Sequence, residues 1–129
     1  MSFHSGGELT VARVDAALVA IPRRTLPFRL TPAALAKLLT VVWSDPSLRQ
    51  PFLASLAIAG RNGTLEHRLR RRPALGNVRA KTGTTNSASA LSGYVRNRYA
   101  FVILQNGNPV SSTQARAAQD RFVTLLAAQ

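Results

Sequence analysis

Residues 99–104 read Tyr-Ala-Phe-Val-Ile-Leu, six largely apolar side chains in succession. Neighbouring side chains of a strand point to opposite sides of the sheet, so a run without polar alternation has no face to give to water. Such a strand belongs in the middle of a sheet covered on both sides. Two further strand-like runs, 78–82 and 88–95, precede it, and Arg96-Asn97-Arg98 is short enough to be a hairpin connection.

The covering layers must come from helices. Thr31 is placed as an N-cap with Pro32 at the first helical position, and Leu35, Leu38, Leu39, Val42 and Trp43 follow at helical spacing. Asp45-Pro46 repeats that start signal, and Leu48, Phe52, Leu53 and Leu56 define a second short helix ending before Gly60. Asn62-Gly63 marks a turn, and 64–69 suit one or two helical turns. After the loop Asn106-Gly107-Asn108-Pro109, Ser111 or Ser112 caps a last helix with Ala115, Ala118, Phe122, Leu125 and Leu126 on one face. Helices, three strands and a helix predict an α+β fold: an antiparallel sheet of about three strands packed by helices. Residues 1–29 carry no decisive period and read as a poorly specified N-terminal arm, with the legible domain at 30–129.

The chain has 129 residues, 46% of them hydrophobic, enough for one folded domain. It has no cysteine, which excludes a disulfide scaffold, a thiolate metal site and a cysteine nucleophile. His4, His67 and five carboxylates show no ligand spacing, so neither a metal nor another cofactor is expected. No segment reaches the ~18 apolar residues of a membrane span. His4 and Glu8 stand where an export signal would carry Lys or Arg, so the chain as written is expected in the cytoplasm.

A net charge of +12 suggests a polyanion-binding module as the alternative function. Only Arg68, Arg70, Arg71 and Arg72 form a dense cluster, and few aromatics accompany them for base stacking, so nucleic acid is the weaker partner. The first two helices could form a helix-turn-helix, but residues 52–59, Phe-Leu-Ala-Ser-Leu-Ala-Ile-Ala, want burial rather than a groove. The other basic residues are mostly scattered arginines. Lysine occurs twice, at Lys37 and Lys81.

Lys81 opens Lys81-Thr82-Gly83-Thr84. An ammonium, a hydroxyl donor and a glycine that lets a ligand approach the backbone suit carboxylate capture. By itself the tetrapeptide also reads as an exposed lysine at a strand end.

Residues 78–84, Val-Arg-Ala-Lys-Thr-Gly-Thr, resemble the K-T-G strand of penicillin-binding enzymes. Their surroundings are similar to the D-alanyl-D-alanine carboxypeptidase/endopeptidase branch of low-molecular-mass, class C penicillin-binding proteins. The matching pieces run in order: LTPAALAKLL at 30–39, SLAIAGRNGTLEHRL at 55–69, the K-T-G strand, SALSGY at 89–94 and ARAAQDR at 115–121. The resemblance implies a partial transpeptidase-like fold and serine-type acyl transfer on peptidoglycan stem peptides. It implies that Lys81 supplies positive potential, Thr82 binds the substrate's terminal carboxylate, Gly83 permits close approach, and the backbone N–H of Thr84 belongs to the oxyanion hole.

Two motifs of that family are missing. Ala34 and Val78 stand three residues before the two lysines, so there is no S-x-x-K, and no serine stands two residues before an asparagine. The resemblance is therefore to the C-terminal portion of such an enzyme, expected to be inactive alone. A D-Ala-D-Ala-terminated peptide or a β-lactam is the expected partner of a completed site, and a complementary protein chain is another. The complete family enzyme would be exported to the cell wall.

Overall fold

The all-apolar run lies inside a sheet, as its two apolar faces require. The computed structural model describes residues 10–13, 19–20 and 29–129. The elements are β1 (Thr10–Arg13), β2 (Val19–Ala20), β3 (Arg29–Leu30), α1 (Pro32–Ser44), α2 (Pro46–Ser55), β4 (Ala57–Ile58), a 3₁₀ turn at Gly63–Leu65, β5 (Val78–Thr84), β6 (Ala88–Val95), β7 (Tyr99–Asn106) and α3 (Ser112–Ala127). The main sheet has the order β1-β7-β6-β5-β4; β4 to β7 pair antiparallel, and β1 lies parallel to β7. β2 and β3 form a separate antiparallel pair. Of the stretch read as an arm, these short strands are described, and the rest lies outside the described residues.

The alternation of β7 divides the core. Ala100, Val102 and Leu104 join Tyr94 against Ala36, Leu39 and Trp43 of α1, Leu53 of α2, and Leu56. Phe101 and Ile103 point the other way, with Val78, Leu91 and Val95, against Val123 and Ala127 of α3 and Leu65 and Leu69 of the connecting segment. Each fully buried Val, Leu, Ile or Phe among them contributes about 1.5–3 kcal/mol. The turn from β6 to β7 places Arg96 and Asn97 at φ 54° and 53°, and the Arg98 N–H donates to the Val95 carbonyl at 3.0 Å. Two positive φ values are what a type I′ hairpin turn needs to match the strand twist.

Thr31 caps α1 as expected, and of the two serines offered for the last helix Ser111 is the cap. Thr31 Oγ1 accepts from the Ala34 N–H at 3.1 Å, and Ser111 Oγ from the Gln114 N–H at 3.4 Å. Asp45 caps α2 through the Ser47 N–H at 2.8 Å. The Ser47 hydroxyl and N–H bonds hold the Asp45 carboxyl below its ordinary range.

The predicted burial pattern needs three corrections. The second helix stops at Ser55, and 57–58 become β4, paired with Arg79 and Ala80. A continuous apolar run serves helix or strand equally, and here edge pairing decides. On α1 the buried stripe is Ala36, Leu39, Thr40 and Trp43, leaving Leu38 56% exposed. On α3 it is Ala115, Gln119, Val123 and Ala127, so Ala118 and Leu125 lie outside. Polar Thr40 and Gln119 sit at the centres of these stripes and are invisible to an apolar count. Thr40 Oγ1 donates to the Lys37 carbonyl at 2.7 Å, while Gln119 Nε2 donates to Ser89 Oγ and Gln105 Oε1, both at 2.9 Å.

Candidate functional site on strand β5

Strand β5 has different neighbours along its length. β6 pairs with all of it, from Val78↔Val95 to Thr84↔Ser89. On the other edge β4 reaches only Arg79 and Ala80. Beyond Ala80, no strand of the described residues covers that edge.

The register fixes which backbone groups face outward. The Val78 carbonyl accepts from the Ala59 N–H at 3.0 Å on the β4 side, and the Thr85 N–H donates to the Ala88 carbonyl at 2.8 Å on the β6 side. Backbone groups alternate in direction along a strand. The N–H and C=O of Thr82 and Thr84 therefore face the open edge, and those of Lys81 and Gly83 face β6.

Side chains alternate as well. Val78 and Ala80 pack on the α3 side. Arg79, on the α2 side, donates through Nη1 to the Leu53 carbonyl at 3.3 Å. Lys81 and Gly83 follow Arg79, while Thr82 and Thr84 follow Ala80. Lys81 is exposed, with Nζ donating to the Thr82 carbonyl at 2.7 Å. Thr82 Oγ1 donates to Thr64 Oγ1 at 3.0 Å.

The two glycines at this pair of strands answer different needs. A Cβ on Gly93 of β6 would meet the Arg79 carbonyl oxygen and, at 2.7 Å, Ala80 Cα. The fold itself demands glycine there. A Cβ on Gly83 would meet only Ala90 Cβ, at an ordinary 3.6 Å. None of the described residues fills the space that Gly83 leaves.

Beside Lys81 lies a groove of about 340 Å³ lined by Ser55, Leu56, Asn62, Thr64 and Ala80 among others. Asn62 shapes its wall, with Oδ1 accepting from the Ile58 N–H at 2.7 Å, and Gly63 turns there with φ +56°. The fold thus brings Lys81, Thr82, Gly83 and Thr84 together on one strand and adds Ser55, Asn62 and Thr64, which sequence reasoning missed. The turn signal of Asn62-Gly63 was visible, but its approach to a strand edge depends on the β4–β5 pairing. The Ser55 hydroxyl donates to the Phe52 carbonyl at 2.7 Å.

No group of three or more metal-ligating side chains gathers among the described residues. No helix there is long and apolar enough to cross a membrane. A profile described as the D-Ala-D-Ala carboxypeptidase 3 (S13) family matches residues 28–129. The D-alanyl-D-alanine carboxypeptidase of Actinomadura sp. (strain R39) is 43% identical over 86 residues, covering 60% of this chain and 16% of that protein. The penicillin-sensitive carboxypeptidase A of Dictyostelium discoideum is 29% identical over 109 residues, covering 75% of this chain and 20% of that protein. The chain thus spans no more than a fifth of the length of either relative. The profile match takes in the K-T-G strand, both its neighbours in the sheet and all three helices, and the chain belongs to the D-Ala-D-Ala carboxypeptidase 3 (S13) family.

Proposed function

We propose that this chain supplies the K-T-G wall of a serine-type D-alanyl-D-alanine carboxypeptidase site acting on peptidoglycan stem peptides. Residues 30–129 serve as the C-terminal part of the enzyme domain, and residues 1–29 as an arm. Lys81 contributes positive potential, the Thr82 hydroxyl binds the substrate's terminal carboxylate, and Gly83 leaves room for the peptide. The Thr84 N–H stabilises the oxyanion that forms when a serine attacks the scissile carbonyl. The single observation that supports this reading is the start of β4 at Ala57, opposite Ala80, because it leaves the Thr82 and Thr84 backbone groups on an unpaired edge. An extended peptide can add to such an edge through main-chain hydrogen bonds.

The acylating serine and its lysine are not in these 129 residues, since no S-x-x-K occurs. Without a nucleophile the wall retains binding and oxyanion stabilisation but forms no acyl-enzyme. The complete enzyme takes its S-x-x-K and S-x-N groups from a complementary segment and works outside the cytoplasm, where its wall substrate lies.

Labelled penicillin tests the reading. The chain alone is expected to give no covalent adduct, and a stable acylated band would overturn the missing-nucleophile reading. A D-Ala-D-Ala-terminated peptide is expected to shift the NMR amide signals of Thr82 and Thr84, and Lys81→Ala to abolish the shift. Unperturbed amides at saturating peptide would remove the binding role.

A further inference from the structure

The fold divides the arginine cluster in two. Arg68 turns onto α3: Nη2 and Nε donate to Asp120 Oδ1 at 2.6 and 3.1 Å, and Nη2 donates to Gln119 Oε1 at 3.1 Å. Its side chain is 13% exposed, and its charge is balanced by Asp120. Leu69 then adopts φ 56° and buries its side chain. Arg70, Arg71 and Arg72 follow, all exposed.

These three arginines and Arg121 of α3 line a cleft of about 510 Å³ with Leu69 and Leu125. Asp120 is the only acid in its lining, and Arg68 already occupies it. Among the described residues no ion pair or hydrogen bond engages the side chains of Arg70, Arg71, Arg72 or Arg121. Four like charges converge without a counter-charge, beside apolar walls that strengthen electrostatic attraction. Guanidinium forks match phosphate oxygens two at a time. No Phe, Tyr or Trp lines the cleft, and the His67 imidazole is the one ring in its lining, so bases find little to stack on. The cleft shares no lining residue with the groove beside Lys81.

We propose that this cleft binds a linear polyanion of closely spaced phosphates through the phosphates alone. The site is independent of the carboxypeptidase reading. Recognition of this kind is insensitive to base sequence and falls steeply with salt.

The test titrates the chain with labelled inorganic polyphosphate and labelled duplex DNA over a range of salt. Each duplex phosphate contact contributes about 0.9 to the slope of log affinity against log salt, so Arg70→Ala/Arg71→Ala/Arg72→Ala is expected to lower the duplex slope by about 3. The charge-matched Lys37→Ala/Arg96→Ala/Arg98→Ala is expected to leave that slope nearly unchanged, and Arg70→Lys/Arg71→Lys/Arg72→Lys to retain most of it. Competition between the two probes tells an inorganic from a nucleic-acid source of the same chemistry. Absence of binding at low salt overturns the proposal, and so does an equal loss of slope in the cleft and control variants.

Discussion

Val78 to Ala80 and Lys81 to Thr84 are consecutive parts of β5 with different surroundings. The first part buries Val78 and Ala80 completely, carries β4 on its free edge and presses on Gly93 of β6. The second part has β6 on one side only, exposes Lys81, Gly83 and Thr84, and leaves unfilled space at its glycine. In the first part every residue type answers to a contact inside the chain. In the second, Thr82 meets Thr64, but among the described residues Lys81 bonds only the carbonyl of its neighbour Thr82 and Gly83 answers to no close contact. Residues that folding does not explain are the ones to read for function.

Glycine substitutions on the two strands break or sharpen this contrast. Gly93→Ala puts a methyl group into the Arg79 carbonyl and Ala80 Cα, neither of which can swing aside as a side-chain tip could. The expected loss is at least about 3 kcal/mol, measured by urea denaturation. A loss below about 1 kcal/mol would show that β5 and β6 separate easily and that the paired half is no more constrained than the open one.

Gln119→Leu acts behind the open half. Gln119 bonds Ser89, which pairs with Thr84, and also meets Gln105 and Arg68. Removing it leaves buried polar groups without their partner, an expected cost of about 2 kcal/mol. Faster amide exchange on β6 near Ser89 is the expected accompaniment. Unchanged exchange there would show that α3 does not support the open half.

Tyr94 probes the helix-covered face that both halves share. Its hydroxyl donates to the Leu39 carbonyl at 2.7 Å, its ring lies 5.2 Å from Trp43, and burial pushes its pKa up to about 12. A raised folded-state value means that the unfolded chain loses this proton first, near pH ~10. The contribution is therefore fully present below pH ~10 and is lost as pH rises through about 12. Tyr94→Phe is expected to cost about 1 kcal/mol at neutral pH and to flatten the alkaline decline in thermal stability. A decline of equal steepness in the variant would assign the alkaline sensitivity to another group.

Gly83→Ala should do least. Its Cβ meets one methyl group at ordinary contact, so stability is expected within about 0.5 kcal/mol of the unsubstituted chain. The same change at Gly93 and Gly83 then separates a glycine required by packing from one that leaves room for a ligand. A large destabilisation at Gly83 would erase the distinction.

Much of the fold was legible in local pattern. Thr31 and Ser111 announced helix starts because a cap acts on an N–H three residues away. The run at 99–104 announced a two-sided core because strand side chains alternate. Leu38 and Leu125 misled the helix faces, since an apolar count cannot see that Thr40 and Gln119 satisfy their polar groups inside. For the site, the Lys-Thr-Gly string was visible, while Ser55, Asn62 and Thr64 entered only through the β4–β5 pairing.

The sequence by itself determined the helix starts, the three long strands, the need for cover on both sides of β7 and the family string on β5, all products of spacing within a few residues. Only the tertiary structure decided that β4 starts at Ala57, opposite Ala80, and so leaves the edge open from Lys81 onward. It also decided that Arg68 is neutralised by Asp120 while Arg70 to Arg72 remain beside a cleft. Those outcomes rest on partners far apart in the chain, 52 residues in the case of Arg68 and Asp120. A distant pairing leaves no periodic trace in the local sequence, and it is set only when packed layers bring the two groups within bonding distance.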